Sequence, residues 1–238
     1  MQVVSLFYWL VALWGVSMSS QQGTHASISK ANCACNRQAD SLILVEFYNS
    51  AGGPNWSNTW TLNTPITQWY GISLNAMGCV QGINLPNNNL DGQIPFSFGN
   101  LSGLRLLHLF GNKLSGNLPA SLGNLSSLED LALEDNLLNG EIPDALGNLG
   151  SLRFLALAKN NFKGPIPSSL GNLLNLILLN LSFNELSGTI PVSLRLLTKL
   201  SILDLHQNKL EGIVPSALGD LVNLTELYLN QNLLSGEL

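Results

Sequence analysis

Residues 104–127 read LRLLHLFGNKLSGNLPASLGNLSS, and residues 128–151 read LEDLALEDNLLNGEIPDALGNLGS. The second stretch repeats the first with a spacing of 24 residues and without insertion or deletion. A fixed period of this length indicates a repeat protein, in which each unit buries its apolar side against its neighbours. The seven units begin at Val80, Leu104, Leu128, Leu152, Leu176, Leu200 and Leu224.

Every unit follows the frame L-x-x-L-x-L-x-x-N-x-L-x-G-x-I-P-x-x-L-G-x-L-x-x. The alternating leucines near its start predict a short strand with one buried face, and the stacking of units predicts a parallel sheet. The proline at the sixteenth position predicts an extended segment, because proline lacks an N–H and restricts the residue before it. The leucines at the nineteenth and twenty-second positions are assigned to a short helical turn on the opposite, convex side.

An asparagine follows each predicted strand, at the ninth position of the frame. Its amide can hydrogen-bond backbone groups of its own turn and of the neighbouring turn, where each buried group left unpaired costs about 1–3 kcal/mol. We therefore predict a structural asparagine ladder. Its members are Asn88, Asn112, Asn136, Asn160, Asn184, Asn208 and Asn232.

The motif L-x-G-x-I-P, which reads LDGQIP at residues 90–95 and LSGTIP at residues 186–191, resembles the plant-type leucine-rich repeat. The resemblance covers residues 80–238. It implies an α/β solenoid, a right-handed superhelix with a parallel concave sheet and short 3₁₀ or helical convex segments. It also implies a concave face that binds a protein, a peptide or a glycan, as in receptor-like kinases, receptor-like proteins and polygalacturonase-inhibitor-like proteins.

The segment before the repeats has a leader and a cap. The apolar run over residues 3–16 is the length of a signal-peptide core and too short for a relaxed bilayer span; a membrane anchor or a buried helix is the alternative. The predicted domains are a signal peptide at 1–20, a linker at 21–39, an N-terminal cap at 40–79 and the repeats at 80–238.

The predicted cap opens with a helix over residues 40–49, with Asp40 or Ser41 as its N-cap and Gly52 and Gly53 as its stop. The order of this helix, an Asn-Trp pair, a Trp-Tyr-Gly-Ile motif and the first repeat resembles the cap of plant-type leucine-rich-repeat proteins. Its tryptophans are predicted to cover the apolar edge of the first strand, with a sugar-binding platform as the alternative. They are Trp56, Trp60 and Trp69.

The chain has three cysteines, Cys33, Cys35 and Cys79. In a secreted protein an odd number leaves one free thiol or one intermolecular bridge. We predict that Cys35 pairs with Cys79 and ties the cap to the first repeat, with Cys33 as the alternative partner. Three cysteines without nearby histidines do not make a zinc site, which needs four ligands.

The concave side chains are those at the third, fifth and seventh positions of the frame, on either side of the strand leucines. They predict an exposed apolar column, interrupted by Asp130, and an acidic cluster in the third repeat beside Arg153 and Lys159. The alternative for both is an ordinary solvated surface. The apolar column is Leu106, Phe154, Leu178 and Ile202, and the acidic cluster is Glu129, Asp130, Glu134 and Asp135. The predicted ligand-binding residues are Leu106, His108, Phe110, Asp130, Glu134, Phe154, Leu178, Ile202, Asp204, His206 and Tyr228.

Five N-x-S/T sequons are candidates for glycosylation, although the repeat consensus itself produces Asn-Leu-Ser. A glycan at Asn180 would lie on the concave face, so either this residue is unmodified or that stretch does not bind the ligand. The candidates are Asn55, Asn100, Asn124, Asn180 and Asn223.

Composition and motifs exclude other classes of protein. A chain that is 45% hydrophobic and 11% charged is not intrinsically disordered, and a net charge of −5 disfavours a nucleic-acid-binding protein. No phosphate-binding loop, kinase signature or G-x-S-x-G elbow occurs, so we predict no catalytic residues, no metal and no cofactor. Asp204 and His206 share a strand face without a nearby nucleophile, which indicates a surface pair.

These observations predict a recognition module that is secreted or lies on the extracellular side of the plasma membrane. Its partners are a protein, peptide or glycan ligand and a co-receptor, with any membrane contact made by parts outside this chain. The frame stops at Leu238, inside the seventh unit, so we expect a fragment of a longer protein. The first alternative is the ectodomain of a receptor-like kinase, and the second is a secreted inhibitor of a wall-degrading glycosidase.

Overall fold

The structure is a computed structural model that describes residues 37–236. The predicted signal peptide, Cys33 and Cys35 lie outside the described residues. Cys79 is disulfide-bonded. Since both of its predicted partners lie outside the described residues, the Cys35–Cys79 pairing stays a prediction.

The first described element is helix α1, Arg37–Ser50. The predicted N-cap was wrong, because α1 already runs through Asp40 and Ser41. Asp40 is buried, and its Oδ2 accepts a hydrogen bond of 2.9 Å from the N–H of Val80. Its carboxylate therefore joins the helix to the first repeat. After the helix ends, Gly52 turns the chain with a φ of 71°, a left-handed conformation that glycine adopts without steric cost.

Two 3₁₀ turns, Gly53–Asn55 and Ile66–Gln68, complete the cap. Its three tryptophans are buried, and none is more than 5% exposed. Trp60 stacks on Trp69 with ring centroids 4.9 Å apart and meets Trp56 edge-on at the same distance. These indoles form an aromatic core with no face open to a sugar, so the alternative of a sugar platform was wrong.

An eight-stranded sheet, which we call the main sheet, runs through the cap and all seven repeats in the order β1-β2-β4-β6-β8-β10-β12-β14. Strand β1 is antiparallel to β2 and occupies the edge that the tryptophans were expected to cover, and the other pairs are parallel. Consecutive repeats pair at an offset of 24 residues, as for Leu178 and Ile202. The strands are β1 Ile72–Leu74, β2 Val80–Asn84, β4 Leu106–His108, β6 Asp130–Ala132, β8 Phe154–Ala156, β10 Leu178–Asn180, β12 Ile202–Asp204 and β14 Glu226–Tyr228.

A second, seven-stranded parallel sheet, in the order β15-β13-β11-β9-β7-β5-β3, was not predicted. It forms from the L-x-G-x-I-P segments, which the sequence indicated only as extended. Its strands pair at an offset of 22 residues, as for Asn139 and Asn161, so its rows run diagonally to the repeat. The strands are β3 Asp91–Gly92, β5 Lys113–Asn117, β7 Leu137–Gly140, β9 Asn161–Pro165, β11 Glu185–Gly188, β13 Lys209–Ile213 and β15 Leu233–Ser235.

A row of 3₁₀ turns completes each repeat. Each turn follows a proline in an extended conformation, such as Pro143 with a ψ of 132°. The leucines of the two sheets and of these turns fill one core, in which Leu155, Phe162 and Leu170 are fully buried. Each buried leucine contributes about 1.5–3 kcal/mol to stability. The turns are Phe96–Asn100, Ala120–Asn124, Asp144–Asn148, Ser168–Asn172, Val192–Leu196 and Ser216–Asp220.

The ninth-position asparagines link successive repeats. The Nδ2 of Asn160 donates to the carbonyls of Leu133, Leu157 and Ala158 at 3.0–3.2 Å, and its Oδ1 accepts from the N–H of Leu138 at 3.0 Å. The first asparagine, Asn88, differs, because its Oδ1 accepts from the backbone of Asn58 in the cap. The same pattern as at Asn160 occurs at Asn136, Asn184, Asn208 and Asn232.

Helix α1 is the single α-helix in the described part of the chain, and it is too short to cross a bilayer. Within residues 37–236, no helix combines the length and the apolar character of a membrane span.

Candidate ligand-binding face

The outward side chains of the main sheet form one surface, which we call the main-sheet face; it is the face predicted to be concave. Strand pairing places Leu106, Asp130, Phe154, Leu178 and Ile202 in one row across five adjacent strands. The four apolar members are half-buried rather than exposed, because neighbouring strands lie only about 4.8 Å apart and their side chains shield one another. The row is therefore a continuous apolar strip from β8 to β12, separated from Leu106 by Asp130.

The predicted acidic cluster divides into two parts. Glu129 forms an ion pair with Arg105, away from the other carboxylates. On the main-sheet face, the Nε2 of His108 lies 2.9 Å from the Oδ2 of Asp130, within ion-pair distance but outside hydrogen-bond geometry. Glu134 lies beside this pair, and its shielded Oε2 has no hydrogen-bond partner. We call His108, Asp130 and Glu134 the carboxylate cluster.

The two cations expected beside the acidic cluster contact aromatic rings. The guanidinium of Arg153 lies 5.4 Å from the ring centroid of Phe154, and the Nζ of Lys159 lies 5.9 Å from that of Phe183. Both distances fit cation–π contacts. Neither cation neutralises Glu134, which leaves the carboxylate cluster with more acidic than basic groups.

Burial raises the pKa of Glu134 from 4.5 to about 7, because desolvation disfavours the ionised carboxylate and the nearby Asp130 and Asp135 add repulsion. A hydrogen bond from its own backbone N–H and the attraction of His108 act in the opposite direction. At neutral pH, Glu134 is therefore close to half-protonated, and a cationic ligand group next to it would favour its ionised form.

The raised pKa of Glu134 predicts a pH dependence of stability. Between about pH 4.5 and 7 the folded protein holds a proton that the unfolded chain has lost, so the free energy of unfolding decreases as pH rises through this window. We expect this carboxyl to contribute a decrease of about 2 kcal/mol, allowing for partial solvent screening. In urea unfolding from pH 4 to 8, Glu134→Gln should remove this decrease, and Glu129→Gln should keep it. Parallel curves for the wild type and Glu134→Gln would contradict the assignment.

A second polar group lies towards the C-terminal end of the same face. The buried Asp204 accepts a hydrogen bond from the Nδ1 of His206 at 2.5 Å. In the neighbouring repeat, the hydroxyl of Ser182 donates to the Oδ1 of Asn180 at 2.7 Å and not to His206. The pair therefore has no activated nucleophile among the described residues. Tyr228 completes the group, and its hydroxyl donates to the Oε2 of Glu226 at 3.0 Å.

The sequence analysis missed Phe183, which meets His206 edge-on with ring centroids 4.5 Å apart. Phe183 has a φ of 53°, as do the residues at the eighth position of the other repeats. This conformation suits asparagine, aspartate and glycine and is strained for a bulky side chain. A phenylalanine in a position that favours Asn or Gly was the signal in the sequence, but only the third, fifth and seventh positions were considered.

The remaining candidates lie as follows. Phe110 is half-buried beside His108, with ring centroids 6.2 Å apart. Asn180 is half-buried on the main-sheet face, where its Oδ1 accepts hydrogen bonds from Ser182. Glycosylation stays a prediction at every sequon. The exposed sequon asparagines are Asn55, Asn100, Asn124 and Asn223. Within residues 37–236, no three His, Cys, Asp or Glu side chains are grouped to hold a metal ion.

Sequence profiles of known families match most of the repeat region. A profile described as Leucine Rich Repeat matches five successive segments, and a second profile, also described as Leucine rich repeat, matches residues 191–234. The five segments are 79–101, 103–125, 127–149, 151–173 and 175–197. Comparison with curated protein sequences returned no significant match.

The solved structures that resemble this chain include plant receptors. One is the plant peptide hormone receptor RGFR1 in complex with RGF2, with 40% identity, a TM-score of 0.66 and coverage of 67% of this chain and 26% of that one. Another is the Arabidopsis receptor kinase HAESA in complex with the peptide hormone IDA and the co-receptor SERK1, with 35% identity, a TM-score of 0.74 and coverage of 81% and 33%.

A third similar structure is Pollen Receptor Kinase 3, with 32% identity and a TM-score of 0.71. The alignment covers 82% of this chain and 95% of that one. By contrast, the chain spans only about a quarter of the RGFR1 chain and a third of the HAESA chain. The repeat profiles and these likenesses agree with the two sheets and the row of 3₁₀ turns described above. The chain belongs to the leucine-rich-repeat family and has the plant-type form of its solenoid.

Proposed function

We propose that this chain is an extracellular recognition module and that its main-sheet face binds a peptide. The observation that carries the proposal is the apolar strip of Phe154, Leu178 and Ile202 beside the carboxylate cluster, all on one face. Support comes from the similar structures of RGFR1 and HAESA, which contain the peptides RGF2 and IDA.

The apolar strip and the carboxylate cluster suit different parts of a peptide. The half-buried side chains of Phe154, Leu178 and Ile202 present apolar surface that an apolar ligand residue would remove from water, at about 25 cal/mol per Å². Asp130 and Glu134 lie one and two strands from the strip's beginning and are suited to a lysine, an arginine or a free amino terminus. The ligand we propose is therefore a short peptide with one basic and one apolar anchor.

A co-receptor is a further proposed partner. The similar HAESA structure contains the co-receptor SERK1 as well as the peptide hormone. A peptide bound on the main-sheet face would leave part of its surface exposed, and a second protein can cover that part. In this proposal the peptide and the co-receptor bind cooperatively, because each adds contacts that the other needs.

Peptides selected from a random displayed library on the full chain test the proposed face. We expect the selected peptides to carry basic and apolar residues, and we expect the double variant Phe154→Asp/Ile202→Asp to weaken their binding by about tenfold or more. The matched control is Val192→Asp/Val222→Asp, which places the same charges on exposed valines at or beside the 3₁₀ turns. Binding measured by calorimetry that survives the first double variant, with unchanged circular dichroism, would refute the proposed face.

A further inference from the structure

A polar groove of about 740 Å³ lies on the second sheet, separate from the main-sheet face. Its centre is a row of three asparagines on adjacent strands, because Asn117 of β5 pairs with Asn139 of β7, and Asn139 pairs with Asn161 of β9. All three side chains are exposed. At a strand spacing of about 4.8 Å, the row spans about 10 Å.

The three amides differ from those of the asparagine ladder. Each ladder asparagine uses its amide for backbone groups inside the fold, as at Asn160. Within the described part of the chain, the side chains of Asn117, Asn139 and Asn161 make no hydrogen bond to protein. They therefore present three N–H₂ donors and three carbonyl acceptors to the groove, none of which is needed for folding.

A second row of the groove carries alternating charges. Lys163 pairs in register with Glu185 of the next strand, and Glu141 lies on the other side of Lys163. Glu185 also accepts a hydrogen bond of 2.7 Å from Lys209, which lowers the pKa of its carboxyl and keeps it ionised. The row Glu141–Lys163–Glu185 thus offers anionic acceptors on both sides of one cationic donor.

We infer that this groove binds a neutral oligosaccharide. Vicinal hydroxyl groups both donate and accept, and they match a surface of amides, carboxylates and one ammonium. The two carboxylates repel polyanions such as nucleic acid, and the lining offers no buried aromatic or aliphatic anchor of the kind that fixes a peptide. The length of the amide row suits a short chain of sugar rings laid across the strands.

This inference is independent of the proposed peptide site, since the two sites share no residue. A peptide on the main-sheet face would leave the second sheet open, so one chain can hold both ligands. Failure of the groove therefore leaves the peptide proposal intact, and failure of the peptide site leaves the groove intact.

Titration of the full chain with defined oligosaccharides tests the groove. The neutral probes are cellotetraose, xylotetraose and mannotetraose, and the charged probe is tetragalacturonate, all followed by calorimetry and by NMR of asparagine side-chain amides. The test variant is Asn117→Ala/Asn139→Ala/Asn161→Ala. The matched control is Asn148→Ala/Asn172→Ala, which removes two exposed asparagines from the 3₁₀ turns.

We expect at least one neutral probe to bind and to shift the three amide resonances. Because a net hydrogen bond is worth about one factor of five in affinity, the triple variant should bind at least tenfold more weakly, with an unchanged melting temperature. The control variant should bind as the wild type does. Binding of no neutral probe, tighter binding of tetragalacturonate, or full binding by the triple variant would each overturn the inference.

Discussion

Replacing Asn160 by alanine is expected to lower the free energy of unfolding by about 3–5 kcal/mol, one of the two largest effects of any single substitution that we predict. The substitution leaves the carbonyls of Leu133, Leu157 and Ala158 and the N–H of Leu138 without the partner that joins them. These groups lie inside the fold, where an unpaired group costs about 1–3 kcal/mol. Urea unfolding followed by circular dichroism measures the loss.

The control for Asn160→Ala is Asn148→Ala, which removes an identical side chain from an exposed position. This change should alter the free energy of unfolding by less than about 0.5 kcal/mol. Because a repeat array can unfold in parts, both variants should also be compared by hydrogen exchange, with lost protection centred on the repeats around residues 133–160. Equal stabilities of the two variants would show that the ladder does not hold the repeats together.

Replacing Gly147 by valine is expected to cost about 3 kcal/mol or more. A Cβ at Gly147 would lie 2.4 Å from the carbonyl oxygen of Ser169 in the next 3₁₀ turn, so the two turns would have to separate. Gly99, Gly123 and Gly171 make the same close approach, at 2.2–2.5 Å. This row of glycines therefore sets the spacing of the 3₁₀ turns.

The matched control is Gly219→Val, at the same position of the sixth repeat. A Cβ at Gly219 has no heavy atom within 4 Å, so this variant should retain the stability of the wild type to within about 0.5 kcal/mol. Thermal unfolding of the two variants compares a crowded and an open glycine in one frame. If Gly147→Val melts with Gly219→Val, the close approach does not constrain the fold.

The sequence was sufficient for the repeat and its buried leucines, because each position is sampled seven times in one register. The second sheet could not be separated from a loop, since Asn, Gly and Pro in its segments are also turn residues. The contact between Asp40 and Val80 spans 40 residues and has no local signal, so Asp40 was interpreted as a helix cap.

The main-sheet face was only partly predictable for a related reason. The 24-residue register places Leu178 between Phe154 and Ile202, and the sequence indicated that row correctly. It did not indicate that the row is half-buried, because shielding depends on the sizes of side chains in neighbouring strands. The pairing of His108 with Asp130 and the position of Phe183 depend on side-chain direction, which the repeat frame leaves open.

The most direct test of the central claim, that the main-sheet face binds a peptide, is site-specific photo-crosslinking. Benzoylphenylalanine is placed at Leu178 in one preparation of the full chain and at Val192, which is exposed in a 3₁₀ turn, in another. Each is irradiated with a peptide obtained by library selection, and adducts are measured by mass spectrometry. We predict adducts at position 178 and none at position 192. Adducts at position 192 with none at position 178 would contradict the account.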